Sequence, residues 1–438
     1  MRPFIMFKAG VARADITPPV GIEMEGFAAR GPSIGVHDPL KATALVVTDG
    51  QTEAAIVGCD LLWVDAELVK DVRKEVRRRT GIPEMNITIA CTHNHFGPLI
   101  TGHDPDVMAY RSILKYELAG AIQEASTNMK EVRLGVGWGT SDIGINRRQR
   151  LRDGRTILGE NPAGPVDRAV GVLRIDEVDG KPLACLVNFA CHPVSQTNKM
   201  RLISADYPGV VRDLFERLVR ATLVFLQGAC GNINPVMKEF SYEPARRLGL
   251  RLGCEVLRVW DETPTRKASS LAVSTKVVQL PRMMYRSKEE AEAMLNSIEA
   301  DMERAGREGA PRAYIRWLKK RHRRLLEVCE SWRTGKPLPK LPAEIQAWGV
   351  DGLGIVTSPG EIFTEIGMEV KERSPFTDTF FVGYANGAVG YVPVPSAYPE
   401  GGYEVNIASQ VGPEAAHIII EGSLSVLEEV YELTKGEG

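Results

Sequence analysis

Along the first two-thirds of the chain, short apolar runs alternate with longer stretches whose apolar residues recur every three or four positions. Ala42–Thr48 and Ala54–Val57 have the apolar, β-branched character of strands, whereas Asp65–Arg78 places Leu68, Val69, Val72 and Val76 on one helical face. The same periods predict a strand at Asn86–Thr92, a helix near 107–127, and strands near 132–138, 169–175 and 183–190. A helix over 210–219, a strand at Thr222–Leu226 and a helix near 243–260 follow. Such alternation predicts an α/β fold rather than separate all-α and all-β units.

The pattern changes after about residue 285. Arg286 to Arg333 is charged and helical, interrupted by Gly306, Gly309 and Pro311. In its second half Ile315, Leu318, His322, Leu325, Cys329 and Trp332 recur at helical spacing, which predicts a hairpin laid on the core by one apolar stripe. The cations of Arg312–Arg324 then fall mainly opposite that stripe, so the arm is expected to wall a cleft or make a subunit contact rather than bind nucleic acid. The α/β pattern resumes with strands at Gly354–Thr357 and Thr379–Gly383 and helices near 362–372 and 412–434.

Composition narrows the class. The chain has 438 residues, 25% of them charged, with a net charge of −2, which disfavours a dedicated binder of nucleic acid or anionic membrane. No apolar run reaches the ~20 residues that span a bilayer, so no integral membrane association is expected. The first ten residues carry too short an apolar patch for a secretion signal. Seven cysteines with no CxxC pair read as free thiols, and the expected location is the cytoplasm.

Three of the seven histidines lie where chemistry is often placed. Asn86–Thr92 runs straight into His93 and His95, which in extended chain face the same way. A second strand, Leu183–Ala190, ends in Cys191-His192-Pro193. Histidines at strand ends suit a catalytic metal with an open coordination position. Glu361, in Ser358-Pro359-Gly360-Glu361, is expected on a tight turn at a helix N-terminus, where a carboxylate stays ionised. A loop rich in glycine and tyrosine, containing Tyr384 and Tyr391, follows a further strand. HExxH, GxSxG, GxGxxG and GxxxxGK[ST] are absent from the sequence, which removes the commonest zinc-protease, serine-hydrolase and nucleotide readings.

These segments resemble the neutral/alkaline ceramidase family. Thr92-His93-Asn94-His95-Phe96-Gly97-Pro98 is similar to its T-H-x-H-x-G-P motif, and Asn188-Phe189-Ala190-Cys191-His192-Pro193 to its second histidine motif. Pro359-Gly360-Glu361-Ile362-Phe363-Thr364 resembles its P-G-E-x-x-T motif. Tyr391-Val392 and Tyr403-Glu404 have the spacing of its two active-site tyrosines, and Gly10–Pro19 resembles its opening segment. The resemblance implies a mixed sheet flanked by helices over 1–438, with 283–342 as a helical insertion. It implies Zn2+ held by His93, His192, Glu361 and Tyr391, with His95, Arg147 and Tyr403 around the substrate carbonyl. The implied activity is hydrolysis of an acyl bond, most simply a linear amide, in a small molecule, by water activated at the metal.

Three departures shape the expected substrate. Where the family carries a serine, Gly231-Asn232-Ile233-Asn234-Pro235 has asparagine, which relays no hydroxyl proton but donates to an oxyanion. Asn234 is therefore expected to polarise the carbonyl while water attacks directly. The sequence also ends at 438 without the family's C-terminal immunoglobulin-like domain or an apolar docking segment, so a soluble N-acyl compound, ester or lactone is expected rather than membrane ceramide. A lactonase or cyclase using the same metal, and a non-catalytic ligand binder, are the competing readings. Asp60 and Asp206 are expected to cap or support structure, and His37 and His103 have no assigned role.

Overall fold

A computed structural model describes residues 7–28, 30–285 and 287–435. Eight strands, β1 (Lys8–Asp15), β2 (Lys41–Thr48), β3 (Glu53–Cys59), β4 (Ile87–Cys91), β5 (Lys130–Thr140), β6 (Ala169–Glu177), β7 (Pro182–Phe189) and β8 (Thr222–Gln227), form one mixed sheet. Their order is β8-β7-β6-β5-β1-β2-β3-β4, and Arg266–Lys267 adds a short pairing to β5. The β3–β4 and β7–β8 pairs are parallel, the rest antiparallel. A second sheet stacks on the first: β9 (Leu271–Leu280), β10 (Leu341–Val350), β11 (Leu353–Thr357) and β12 (Asp378–Val382), in that order.

Strand alternation explains the layering. In β2, Ala42, Ala44 and Val46 face helices, while Leu45 and Val47 face the second sheet. In β10, Trp348 and Val350 point between the sheets, while Ala343, Ile345 and Ala347 point away. The layer between the sheets includes Trp348, Phe380, Ile355 and Leu186, all fully buried. At about 1.5–3 kcal/mol per buried large side chain, this layer alone holds the two sheets firmly together. The outer face of the first sheet is covered by α1 (Ala66–Thr80), α2 (Pro105–Thr127), α3 (Asp206–Val219) and α4 (Glu243–Glu262). Helix α1 buries the expected Leu68, Val69, Val72 and Val76, and its first turn is capped by Asp65 Oδ1, which accepts from Leu68 N at 2.8 Å.

The charged arm forms the antiparallel pair α5 (Lys288–Arg307) and α6 (Arg312–Thr334), and α7 (Thr364–Arg373) and α8 (Glu414–Lys435) cover the second sheet. Helix α6 buries Ala313, Leu318, Leu325 and Val328; of the expected stripe, Leu318 and Leu325 are buried and Ile315 packs against them, whereas Trp332 is exposed. A neighbouring stripe of α6 is left to face elsewhere. Among the described residues no helix is long and apolar enough to cross a membrane, and the seven cysteines are free.

The first sheet curls. Gly58 in β3 lies so close to β8 that an added Cβ would stand 2.7 Å from the Phe225 carbonyl oxygen. The curl brings the ends of β4 and β7 together although five strands separate them in the sheet order. Gln227, at the end of β8, pins them there: its Nε2 donates to Thr92 O at 2.9 Å and to Cys191 O at 2.8 Å.

Candidate metal centre

Four strand ends meet at this point. His93 follows β4, His192 follows β7, Glu361 follows β11 and Tyr384 follows β12. His93 is not in extended chain as the spacing predicts; the strand stops at Cys91 and His93 turns with φ 64°. The turn still aims both rings inward, and His93 Nε2 lies 3.2 Å from His95 Nε2. Glu361 likewise sits three residues before α7, in a two-residue parallel ladder that pairs it with Tyr391. Gly231 makes room for that ladder, since a Cβ there would stand 2.5 Å from Glu361 O.

Each imidazole spends its Nδ1 on a carbonyl, which only accepts. His93 Nδ1 donates to Leu62 O at 2.9 Å, His95 Nδ1 to Gly26 O at 3.1 Å and His192 Nδ1 to Cys230 O at 2.7 Å. The three Nε2 lone pairs are thereby turned toward one another, with a ligand atom from each within 4.8 Å of the others. Glu361 Oε2 joins them, 3.2 Å from His93 Nε2 and 3.3 Å from His192 Nε2. Lone pairs and a carboxylate crowded together repel unless a cation lies among them. Two or more imidazoles with a carboxylate and a phenol suit zinc and similar divalent ions, so the residues fit the expected metal.

Electrostatics agree with that donor set. Burial and then the facing rings of His93 and His192 hold His95 well below its ordinary range, and burial with the Arg147 charge pushes His192 down to about 4. Both are therefore neutral donors at neutral pH. Burial alone would raise Glu361, but positive charge or N–H donation from the His93 and His192 positions lowers its carboxyl well below the carboxylate range, and a cation held among neutral rings would act in the same direction. Burial pushes the Tyr391 phenol up against the opposing pull of Arg147.

Arg147 organises the remaining residues. Its Nη2 donates to Tyr391 Oη at 2.9 Å, its Nη1 to Asn234 Oδ1 at 3.2 Å, and its Nε to Glu404 Oε1 at 2.8 Å. Nη1 also lies 3.4 Å from His192 Nε2. Tyr403 packs edge-on against Tyr391, with centroids 5.9 Å apart, and burial raises its phenol to about 12. All eight residues singled out in the sequence thus form one contiguous cluster. Tyr384, from the glycine- and tyrosine-rich loop, joins the cluster by stacking on His93, and Glu404 and Gln227 belong to it with no sequence signal for such a role.

The other candidates lie outside. Asp60 Oδ2 accepts from Arg212 Nη1 at 2.6 Å, a buried ion pair that anchors α3. Asp206 accepts from the Ser195 side chain at 2.5 Å, and His37 stacks on Tyr242. His103 is exposed.

A cavity of ≈ 180 Å³ opens onto the centre, reached by His93, Glu361, Tyr391 and Tyr403. Its far wall is α6, with Trp317, Lys320, Arg321 and Arg324 facing inward.

Comparison with known proteins decides the relationship. The model of the N-terminal region of neutral/alkaline non-lysosomal ceramidases matches residues 7–229, which carry all three clustered histidines and Arg147. This chain belongs to the neutral/alkaline non-lysosomal ceramidase family. The neutral ceramidase of Drosophila melanogaster is 27% identical over 235 residues, covering 48% of this chain and 32% of that protein. Neutral ceramidase A of Dictyostelium discoideum is 27% identical over 238 residues, again covering 48% of this chain and 32% of its own length. The aligned region is therefore about a third of these ceramidases. The crystal structure of the Pseudomonas aeruginosa neutral ceramidase superposes with a TM-score of 0.74 at 18% identity, covering 97% of this chain and 75% of that one. The mixed sheet flanked by helices is thus the ceramidase fold. It extends through Glu361 and Tyr391, beyond the residues that the family model matches.

Proposed function

We propose that this ceramidase-family protein is a metal-dependent hydrolase that adds water across an acyl bond, an amide first, giving a carboxylate and an amine. The observation that carries the reading is the convergence of three imidazole Nε2 atoms and Glu361 Oε2 with every Nδ1 already spent on a carbonyl. His93, His192, Glu361 and Tyr391 would hold the ion, for which zinc is the first expectation. Bound there, zinc supplies Lewis acidity toward water and a carbonyl oxygen.

The chain's own groups supply the rest. Neutral His95 presents its Nε2 lone pair at the edge of the donor set, where it accepts a hydrogen bond from water and orients it. Asn234 gives its Oδ1 to Arg147, and its amide N–H groups have no protein partner among the described residues. They are therefore free to donate to the developing oxyanion. Tyr403 stays protonated at neutral pH and donates to the leaving group from the cavity wall. Arg147 has its guanidinium committed on three sides and is a positioning residue, fixing Tyr391 and Asn234.

Elemental analysis of the purified protein beside a His93→Ala/Glu361→Ala variant tests the reading, together with hydrolysis of short N-acyl amides, esters and lactones. About one zinc per chain, lost in the variant along with turnover, is the expected result. A wild-type protein that takes up no divalent metal when zinc is supplied overturns it.

A further inference from the structure

The wall opposite the metal centre is built from charge. Trp317, Lys320, Arg321 and Arg324 recur at steps of three, one and three along α6, so they form a single stripe, and all four line the cavity that contains His93 and Glu361. Arg321 and Arg324 also line a smaller adjoining hollow of ≈ 40 Å³ with Tyr285 and Asn406. This stripe is distinct from Ala313, Leu318, Leu325 and Val328, which α6 spends on packing.

Among the described residues none of the three cations has a carboxylate oxygen within 4.0 Å, whereas Arg282 nearby is paired with Glu327 and Arg304 with Asp301. From Arg312 to Arg324 the sequence contains no Asp or Glu, and Glu327, one turn beyond Arg324 in α6, offsets part of that charge but makes its ion pair with Arg282. Two carboxylates line the same cavity. Glu361 is engaged by His93 and His192, and burial raises Glu25 toward its neutral form, although Lys320 opposes the shift. The cations are also held in place rather than left waving in solvent. Lys320 Nζ lies 5.2 Å from the centre of the Trp63 ring and Arg321 Cζ 4.7 Å from that of Trp317.

That arrangement is costly as it stands. Withdrawal from bulk water, then the neighbouring charges of Arg282, Arg321 and Arg323, push Arg324 down to about 10. Lys320 is lowered by the same withdrawal and by Arg324. Like charges gathered at the mouth of a cavity are relieved by a bound anion, and guanidinium pairs suit planar or tetrahedral oxyacids. A neutral amide brings no such counter-charge. Leu62, Trp63 and Ile407 meanwhile give the cavity an apolar side for an acyl chain.

We infer that the substrate of this centre is an acyl amide carrying an anionic oxyacid group, which Lys320, Arg321 and Arg324 of α6 hold while the amide faces the donor cluster. The inference rests on the hydrolase reading only for the word substrate; the anion site stands on the cavity itself.

The test uses the full, zinc-supplied protein and four matched probes: N-octanoyl glycine, N-octanoyl O-phosphoethanolamine, N-octanoyl ethanolamine and N-octanoyl ethylenediamine. Binding is read by tryptophan fluorescence and calorimetry, and turnover by amine release. Both anionic probes, or one of them, should bind about tenfold or more tighter than the neutral one, the size of one charge-assisted contact. The cationic probe should bind weakest, and added salt should erode the preference. Which anion wins separates a carboxylate from a phosphate ligand. In Arg324→Gln and Lys320→Met the ratio of anionic to neutral affinity should fall toward one, with Arg324→Lys partly restoring it and thermal melts checking the fold. Anionic preference without turnover keeps the anion site and removes the hydrolase reading. Equal turnover and equal affinity for anionic and neutral probes keeps the hydrolase and overturns the anion site, as does failure of all four probes to bind.

Discussion

The ring of Tyr384 lies against that of His93, with centroids 3.9 Å apart and planes 23° from parallel. Its phenol oxygen is 3.1 Å from Cys230 Sγ, so the ring is braced from behind. The stack fixes the plane in which His93 presents Nε2. If His93 holds zinc as proposed, Tyr384→Ala should weaken its binding by about 10–100-fold, the usual cost of losing a residue that orients a ligand. Tyr384→Phe keeps the ring face and should bind zinc nearly as wild type. Competition with a chromophoric chelator measures both, and equal affinities for the Ala and Phe variants would refute the positioning role.

Glu404 sits between two guanidinium groups, accepting from Arg147 Nε at 2.8 Å and from Arg148 Nη1 at 2.9 Å, with only 1% of its surface exposed. Removing its charge leaves buried Arg147 with no carboxylate partner and Arg148 with Glu400 alone, 3.2 Å away. Glu404→Gln should lower unfolding free energy by about 3–5 kcal/mol, the range for breaking a buried charge pair from one side. Urea denaturation reads the loss, and a change under 1 kcal/mol (about the worth of an exposed pair) would show that the ion pairs are slack.

Asn234 accepts from Arg147 Nη1 at 3.2 Å, and its amide N–H groups have no protein partner among the described residues. If its amide donates to the oxyanion, Asn234→Ala should reduce kcat on the proposed amides by about 10²–10³-fold and leave KM nearly unchanged. An unaltered kcat would exclude that donation.

Asp206 offers a pH signature away from the metal centre. Burial raises its carboxyl to about 6 despite hydrogen bonds from Ser195 and the Tyr207 backbone, and its φ is 54°, which Asn also tolerates. Because the folded-state value lies above the unfolded one near 3.8, the proton favours folding. That contribution is complete below about pH 4 and is lost as pH rises through 6. Wild-type stability relative to Asp206→Asn should therefore decline between those values and level off above them. Chemical denaturation across the interval measures it, and a flat difference would disprove the linkage.

The elements and the donor cluster were legible in the sequence to different depths. Strands such as β2 and helices such as α1 announce themselves because burial on one face imposes a period, and Leu68, Val69, Val72 and Val76 lie where that period puts them. His93 and His192 were singled out at strand ends and Glu361 at a turn, and the family motifs added Tyr391; the structure brings the four side chains together. How they meet was not legible: His93 and Glu361 reach the centre through a left-handed turn and a two-residue ladder, both set by tertiary contacts. The stacking of a second sheet on the first escaped for the same reason, since a strand with two apolar faces reads alike in any layer. The cation face of α6 was legible as the side opposite its apolar stripe, but which cations reach the cavity was not, because that depends on how α6 packs against α5.

The donors come from opposite ends of the sequence. The imidazoles project from the first sheet's side of the molecule, while Glu361 and Tyr391 sit on a ladder belonging to the packing core of the second. A cation held there as proposed would be a rivet as well as a reagent, clamping two layers whose mutual grip otherwise depends on the apolar seam around Trp348 and Phe380. Stripping it should loosen the short Glu361–Tyr391 ladder first, so that the loss of chemistry and the first slackening of the scaffold are one event.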